Sequence, residues 1–142
     1  MGLLGNLEHK LDAKGRLVIP ACFREELGSL VVATTIDKSC ISLYSERNWE
    51  EVVSRLNEIN TQSKNGANTQ RRILANSYKQ DIDSMGRMLI PETLRRDTNI
   101  VQDVCVNGNN KKLEIWDSAR WKQFMSASEK LISNINKLIP GL

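Results

Sequence analysis

Two short stretches concentrate the side chains best suited to gripping an anion. Asp12-Ala13-Lys14-Gly15-Arg16 and Asp83-Ser84-Met85-Gly86-Arg87 carry an Asp, a Gly and an Arg at identical spacing. A guanidinium presents a rigid fork of donors that pairs bidentately with phosphate or with the O6/N7 edge of guanine. An Asp four residues ahead can fix such a fork by bonding to the turn backbone and to the Arg itself. Lys14, at the tip of the first stretch, suits a phosphate. Met85, at the same place in the second, cannot neutralise one, so the first stretch is expected to dominate anion binding. Gly15 and Gly86 provide the positive φ that a tight turn requires.

The residues of other chemistries do not assemble. His9 is the only histidine. No Gly-x-Ser-x-Gly elbow exists for it to serve, and two-histidine metal motifs are excluded. Cys22, Cys40 and Cys105 are widely spaced with no Cys-x-x-Cys, which argues against a disulfide framework or a cysteine zinc site. Each sits among apolar neighbours and reads as a small buried hydrophobe. Asp81 and Asp83 could share one strand face, whereas Glu25 and Glu26 could not converge. No nucleotide-binding loop or nucleophile accompanies them. The expectation is a non-enzyme with no catalytic residues, no metal and no cofactor.

Charge distribution supports the anion reading. The net charge of +3 is modest. Residues 1–24 hold four Lys/Arg against two Asp/Glu, and residues 64–96 hold seven against three. Residues 25–63 are acidic, three against seven. The two basic blocks contain the two turns, which is the footprint of a polyanion partner. No run of about 18 apolar residues is present, so no membrane span is expected. The opening MGLLGNLEHK lacks the basic start and apolar stretch of a secretory signal, so a cytoplasmic location is expected.

The elements that must position the turns repeat along the chain. Leu11-Asp12-Ala13-Lys14-Gly15-Arg16-Leu17-Val18-Ile19-Pro20 recurs, shifted by 71, as Ile82-Asp83-Ser84-Met85-Gly86-Arg87-Met88-Leu89-Ile90-Pro91. After one inserted residue, Tyr44 and Trp49 are answered by Trp116 and Trp121. Each copy predicts a strand (Asn6–Leu11, Asn76–Ile82), the Asp turn, and a second strand (Arg16–Ile19, Arg87–Ile90) rich in residues that favour strands. Pro20 and Pro91 fit a first helical position, opening short helices over Ala21–Leu27 and Glu92–Thr98. Hairpins follow: Leu30–Ile36 with Ile41–Tyr44, and Asp103–Asn107 with Lys112–Trp116 about a Gly108-Asn109-Asn110 turn. Closing helices are capped by Ser45 and Asp117. Their stripes, Trp49, Val52, Val53, Leu56 and Ile59 in one and Trp121, Phe124, Met125, Ile132, Ile135 and Leu138 in the other, suit a core or a subunit interface. Residues 60–68 read as a polar linker, with a short helix over Thr69–Ser77 that exposes Arg71 and Arg72. The predicted organisation is a first unit over 1–59, the linker 60–68, and a second unit over 69–142.

The doubled Asp-x-x-x-Arg turn, each time followed by an apolar triplet and Pro, resembles the MraZ family over essentially the whole chain. Each half resembles the AbrB-type swapped-hairpin unit. The resemblance implies a mainly β fold with peripheral helices, a pseudo-symmetric swapped-hairpin barrel built from two tandem units. It implies a transcriptional regulator, in the first instance a repressor, of the division and cell-wall gene cluster. The implied partners are double-stranded DNA carrying promoter repeats and further copies of the chain, assembled as a ring. Carried onto this sequence, Arg16 and Arg87 are expected to contact DNA, with Lys14, His9 and Lys10 adding phosphate contacts. Asp12, Gly15, Asp83 and Gly86 are expected to shape the turns. Two alternatives stay open: that each Asp–Arg pair is only an internal ion pair, and that the chain is an antitoxin-type protein-interaction module. Arg24 and Arg95 fit a subunit ion pair as well as a DNA contact.

Overall fold

A computed structural model describes residues 2–142. Among these residues are eight strands and six α-helices, and all but the helices Lys64–Ala75 and Ile135–Leu138 follow the repeat. The first half holds β1 (Leu3–Lys10), β2 (Arg16–Val18), α1 (Ala21–Leu27), β3 (Leu30–Thr34), β4 (Ile41–Ser45) and α2 (Glu46–Asn57). Then come α3 (Lys64–Ala75), β5 (Ser77–Asp81), β6 (Arg87–Leu89), α4 (Glu92–Asp97), β7 (Asp103–Asn110) and β8 (Lys112–Asp117). The chain ends with α5 (Ser118–Ala127), a 3-10 turn over Glu129–Asn134 and α6 (Ile135–Leu138).

The fold is mixed α+β. Its main layer is a six-stranded antiparallel sheet in the order β1-β7-β8-β4-β3-β5, and β2 and β6 form a separate two-stranded ribbon. The sheet order is open, ending on β1 and β5, rather than a closed barrel cycle. Only β3–β4 and β7–β8 pair within one half. Every other ladder crosses between halves: β1 with β7, β3 with β5, β4 with β8 and β2 with β6. The two crossed central ladders are self-matching under the repeat. Leu17 faces Met88 in the ribbon, and Leu43 faces Leu113 while Ile41 faces Ile115 in the sheet. A pseudo-two-fold relation therefore passes through both.

The core lies between ribbon and sheet. Leu17, Ile19, Met88 and Ile90 from the ribbon side meet Leu43, Val104, Val106, Leu113 and Ile115 from the sheet, all solvent-inaccessible. Phe23 and Leu94, at matching places on α1 and α4, close its ends. Burying each such side chain contributes about 1.5–3 kcal/mol, and each wall is completed only by strands from both halves.

Local signals explain most helix starts. Ser45 accepts from the Asn48 N–H and Asp117 from the Arg120 N–H, as expected of caps. Several boundaries differ from the sequence reading. Pro20 and Pro91 stand one place before the helix, as caps in an extended conformation (ψ 138° and 134°), because ring-fixed φ there aims the chain into the first turn. Residues 64–68 are helical rather than loop, since Ser63 caps α3 through the Gly66 N–H. The β7–β8 hairpin runs further than expected and turns on Asn110, whose φ of 60° is tolerated by Asn. The stripe after Asp117 is not a core element. Phe124, Met125, Ile132 and Leu138 are exposed, and the helix is interrupted at Ser128. Cys40 and Cys105 are buried, but Cys22 is exposed, because it lies on the outer side of α1 opposite Phe23 and Leu27. Among the described residues no helix is long and apolar enough to cross a membrane.

Candidate nucleic-acid interface

Both Asp turns are built the same way, atom for atom. The Asp12 carboxylate accepts from the N–H groups of Lys14 and Arg16 through Oδ1, at 2.9 Å each, and from Arg16 Nε through Oδ2 at 2.7 Å. Asp83 accepts from the Met85 and Arg87 N–H groups at 2.9 and 2.8 Å, and from Arg87 Nε at 2.8 Å. The backbone adds a closing bond on each side, Gly15 N–H to the Asp12 carbonyl and Gly86 N–H to the Asp83 carbonyl. Gly15 and Gly86 have φ of 80° and 79°, a region closed to most side chains. The Arg16 backbone N–H is the largest influence holding the Asp12 carboxyl below the usual carboxylate range, followed by its guanidinium and the Lys14 N–H. Arg87 and the Met85 N–H do the same for Asp83.

The internal ion pair expected as an alternative is therefore present, but it uses one guanidinium nitrogen of each Arg. The terminal nitrogens of Arg16 and Arg87 have no protein partner among the described residues. The carboxylate holds each guanidinium by its inner edge and leaves the outer fork available, at a side-chain exposure of 33% for Arg16 and 37% for Arg87.

The ribbon brings the two forks together. Leu17 and Met88 point into the core, so their neighbours on each strand point outward. Arg16 lies opposite Leu89, and Val18 opposite Arg87. The outer face is thus a four-residue patch with the arginines on one diagonal, roughly 7–8 Å apart between Cα atoms. Val18 and Leu89, exposed on the other diagonal, were not singled out in the sequence. The alternation Arg-Leu-Val against Arg-Met-Leu carries that information once the buried middle residue is known. Lys14 and Met85 stand exposed at the two turn tips.

Each turn is also buttressed from the other half. The Arg95 guanidinium packs against Gly15, and the Arg24 guanidinium against Gly86. Arg95 Nε donates to the Ile90 carbonyl at 3.0 Å, whereas Arg24 Nε is buried without a partner. Ile19 N–H reaches the Gly86 carbonyl and Ile90 N–H the Gly15 carbonyl, locking each turn to the opposite strand. Arg24 and Arg95 thus sit beside the turns.

His9 and Lys10 are placed differently. They end β1 and line a shallow cleft of about 510 Å³ with Glu8, Asp103, Asp117 and Lys122. Lys10 lies 3.8 Å from Asp103, and the neighbouring carboxylates dilute the positive charge. Arg71 and Arg72 are exposed on α3. Among the described residues no group of three or more His, Cys, Asp or Glu is arranged to hold a metal.

Ribbon and sheet together define a class: one chain made of two copies of a β-rich unit, interleaved strand by strand, with a paired Asp–Arg turn at one end. Comparison with known proteins makes the assignment specific. The family model described as "MraZ protein, putative antitoxin-like" matches twice in tandem, over residues 3–72 and 73–137. The chain belongs to the MraZ family. It is 36% identical over 140 residues to the transcriptional regulator MraZ of Thermoanaerobacter sp. (strain X514), covering 99% of this chain and 98% of that protein. Similar regulators of the same name occur in Pediococcus pentosaceus, 33% identical over 93% of this chain and 92% of that one, and in Arthrobacter sp. (strain FB24), 33% identical over 98% of each.

Proposed function

We propose that this chain is a sequence-specific DNA-binding transcriptional regulator whose β2–β6 ribbon docks on double-stranded DNA. The observation that carries the reading is the pair of partner-free guanidinium forks, held from behind by Asp12 and Asp83, on the outer face of a two-stranded ribbon. A two-stranded ribbon fits the major groove of B-DNA. Fixing each guanidinium before binding removes much of the ordering cost of the contact. Lys14 adds a phosphate contact that Met85 cannot, so the first turn contributes more. His9 and Lys10 act at the periphery. In this reading the cross-half ladders are the swapped-hairpin AbrB-type architecture, with units over 1–59 and 69–142 joined through 60–68. The chain works as a ring-shaped homo-oligomer in the nucleoid. Weak contacts of single subunits add up by multivalency on promoter repeats, and occupancy represses the division and cell-wall cluster. The names of the relatives support a transcriptional regulator.

The test is binding of the purified chain to labelled DNA from upstream of its own gene, across several salt concentrations, with scrambled DNA alongside. Steep weakening with salt is expected, as phosphate contacts require. Arg16→Ala should weaken binding by about 5- to 150-fold, at about 1–3 kcal/mol per bidentate contact. Arg47→Ala, on an exposed acidic segment of α2, should leave it unchanged. Equal losses would remove the ribbon from the interface. Absence of any preference over scrambled DNA, with a protein partner co-purifying in fixed ratio, would replace this reading with the antitoxin-type one.

A further inference from the structure

On the sheet face turned away from the core, the second half carries a feature that the first lacks. Val104 and Val106 of β7 enter the core, so Cys105 and Asn107 point to the opposite face. Asn107 is 5% exposed, and neither its amide nitrogen nor its amide oxygen has a partner. Buried primary amides are normally satisfied. This one lines an open cleft of about 520 Å³, a size suited to a small ligand. Trp116, Trp121 and Phe124 wall the cleft, with ring centroids 5.2–5.4 Å apart, and Glu114 and Asp37 stand at its edge.

The repeat supplies an internal control. The strand registers match Asn107 on β7 to Thr34 on β3, a shift of 73, and match positions 114, 116 and 124, at a shift of 72, to Ser42, Tyr44 and Val52. Thr34 is fully engaged: its hydroxyl donates to the Asn76 carbonyl at 3.2 Å and accepts from the Ser77 hydroxyl at 3.0 Å. The second half thus replaces a satisfied hydroxyl by an unsatisfied amide, and a Tyr–Trp pair by a three-ring wall. Packing alone does not require an unsatisfied amide there.

The donor set specifies the ligand. A primary amide offers a donor and an acceptor side by side. Its planar complement is a heterocycle with an amine beside a ring nitrogen, the way Asn pairs with the N6/N7 edge of adenine. Aromatic walls stack on the face of such a base. Phosphate is disfavoured. Glu114 is partly offset by Lys112 at 3.4 Å, but among the described residues no cation forms an ion pair with Asp37. Bonds from the Ser39 hydroxyl and N–H hold the Asp37 carboxyl below its usual range, so it stays ionised.

We propose that this cleft binds an adenine nucleoside without phosphate, its base stacked on the Trp116–Trp121–Phe124 wall and its amine edge paired with Asn107, whose amide turns outward from its closed position to meet it. The site is independent of the DNA reading. The experiment is titration of adenosine and of adenosine monophosphate into the full chain, followed by tryptophan fluorescence and calorimetry. Adenosine should quench saturably, and the monophosphate should bind several-fold more weakly. Asn107→Asp, which removes the donor while keeping the shape, and Phe124→Ala, at a partly exposed ring, should each weaken adenosine by about tenfold. Both variants should keep an unchanged circular dichroism spectrum. No saturable response at millimolar adenosine, or an unaltered affinity in both variants, overturns the site. Monophosphate binding as tightly as adenosine overturns the choice of an uncharged sugar end. Variants that change the oligomeric state on a sizing column, with no nucleoside response in the parent chain, would make the cleft a contact between copies instead.

Discussion

Substituting Ala for Gly15 tests the turn more sharply than removing any charge. At φ 80° an L-residue loses about 1–2 kcal/mol relative to glycine. The added methyl would also stand 2.7 Å from Arg95 Cζ and 2.8 Å from one of its terminal nitrogens, so the guanidinium must move. Arg95 is tethered by its Nε bond to the Ile90 carbonyl, and moving it forfeits a hydrogen bond of about 1 kcal/mol. The expected loss is about 2–3 kcal/mol, or a fall in Tm of roughly 6–9 °C at this chain length. The matching change, Gly86→Ala, meets Arg24 at 2.6 Å, but Arg24 Nε has no bond to lose. It should cost only the backbone term, about 1–2 kcal/mol. Adding Arg95→Ala to Gly15→Ala should reduce the penalty of the glycine change by about 1 kcal/mol, read from a double-mutant cycle in urea. Equal penalties at Gly15 and Gly86, or no coupling to Arg95, would refute the buttress.

Acid should loosen the turns. The Asp12 and Asp83 carboxyls lie below their ordinary values, so their stabilisation is complete above the unfolded value near 3.9 and is lost as pH falls through the folded ones. Urea midpoints measured from pH 7 to pH 2 should fall below about pH 4, and Asp12→Asn with Asp83→Asn should flatten that fall. Leu17→Ala, at a wholly buried ribbon position facing Met88, should cost about 2–5 kcal/mol by urea unfolding. Thiol labelling with a chromogenic disulfide at pH 8 should find Cys22 fast and Cys40 silent until the chain unfolds, because burial pushes the Cys40 thiol up to about 12.

The turns and their caps were legible because their chemistry is local. Asp-x-x-Gly-Arg specifies its own hydrogen bonds, and Ser45 and Asp117 bond to backbone three residues ahead. The pairing of strands was not legible. Nothing within Leu3–Lys10 says that its partner is Asp103–Asn110, since a strand's neighbours are chosen by the whole core. The outward pair Val18 and Leu89 was hidden for the same reason: a three-residue strand reveals its faces only when its middle residue is known to be buried. The stripe beyond Trp121 shows a different limit. Its helical spacing is real as far as Ala127, but periodicity cannot say whether an apolar face meets the protein's own core. His9 and Lys10 lie close in sequence to the first turn, yet β1 carries them to a cleft shared with α5. The asymmetry between Arg95 and Arg24 had no sequence signal, because both halves place Arg at that position.

The crossed ladders also govern how the chain comes into being. Of the strands in the first half, β3 and β4 pair with each other, whereas β1 and β2 must await β7 and β6. At a synthesis rate of about 5–20 residues per second, the first half leaves the ribosome seconds before its partners exist. Contacts this distant in sequence slow folding and raise contact order. During that interval β1 is an unpaired strand ending on charged Glu8 and Lys10, side chains that discourage pairing with a neighbouring nascent chain. Completion then couples both turns to a single cooperative step, so that a lesion in either repeat is felt at both arginines.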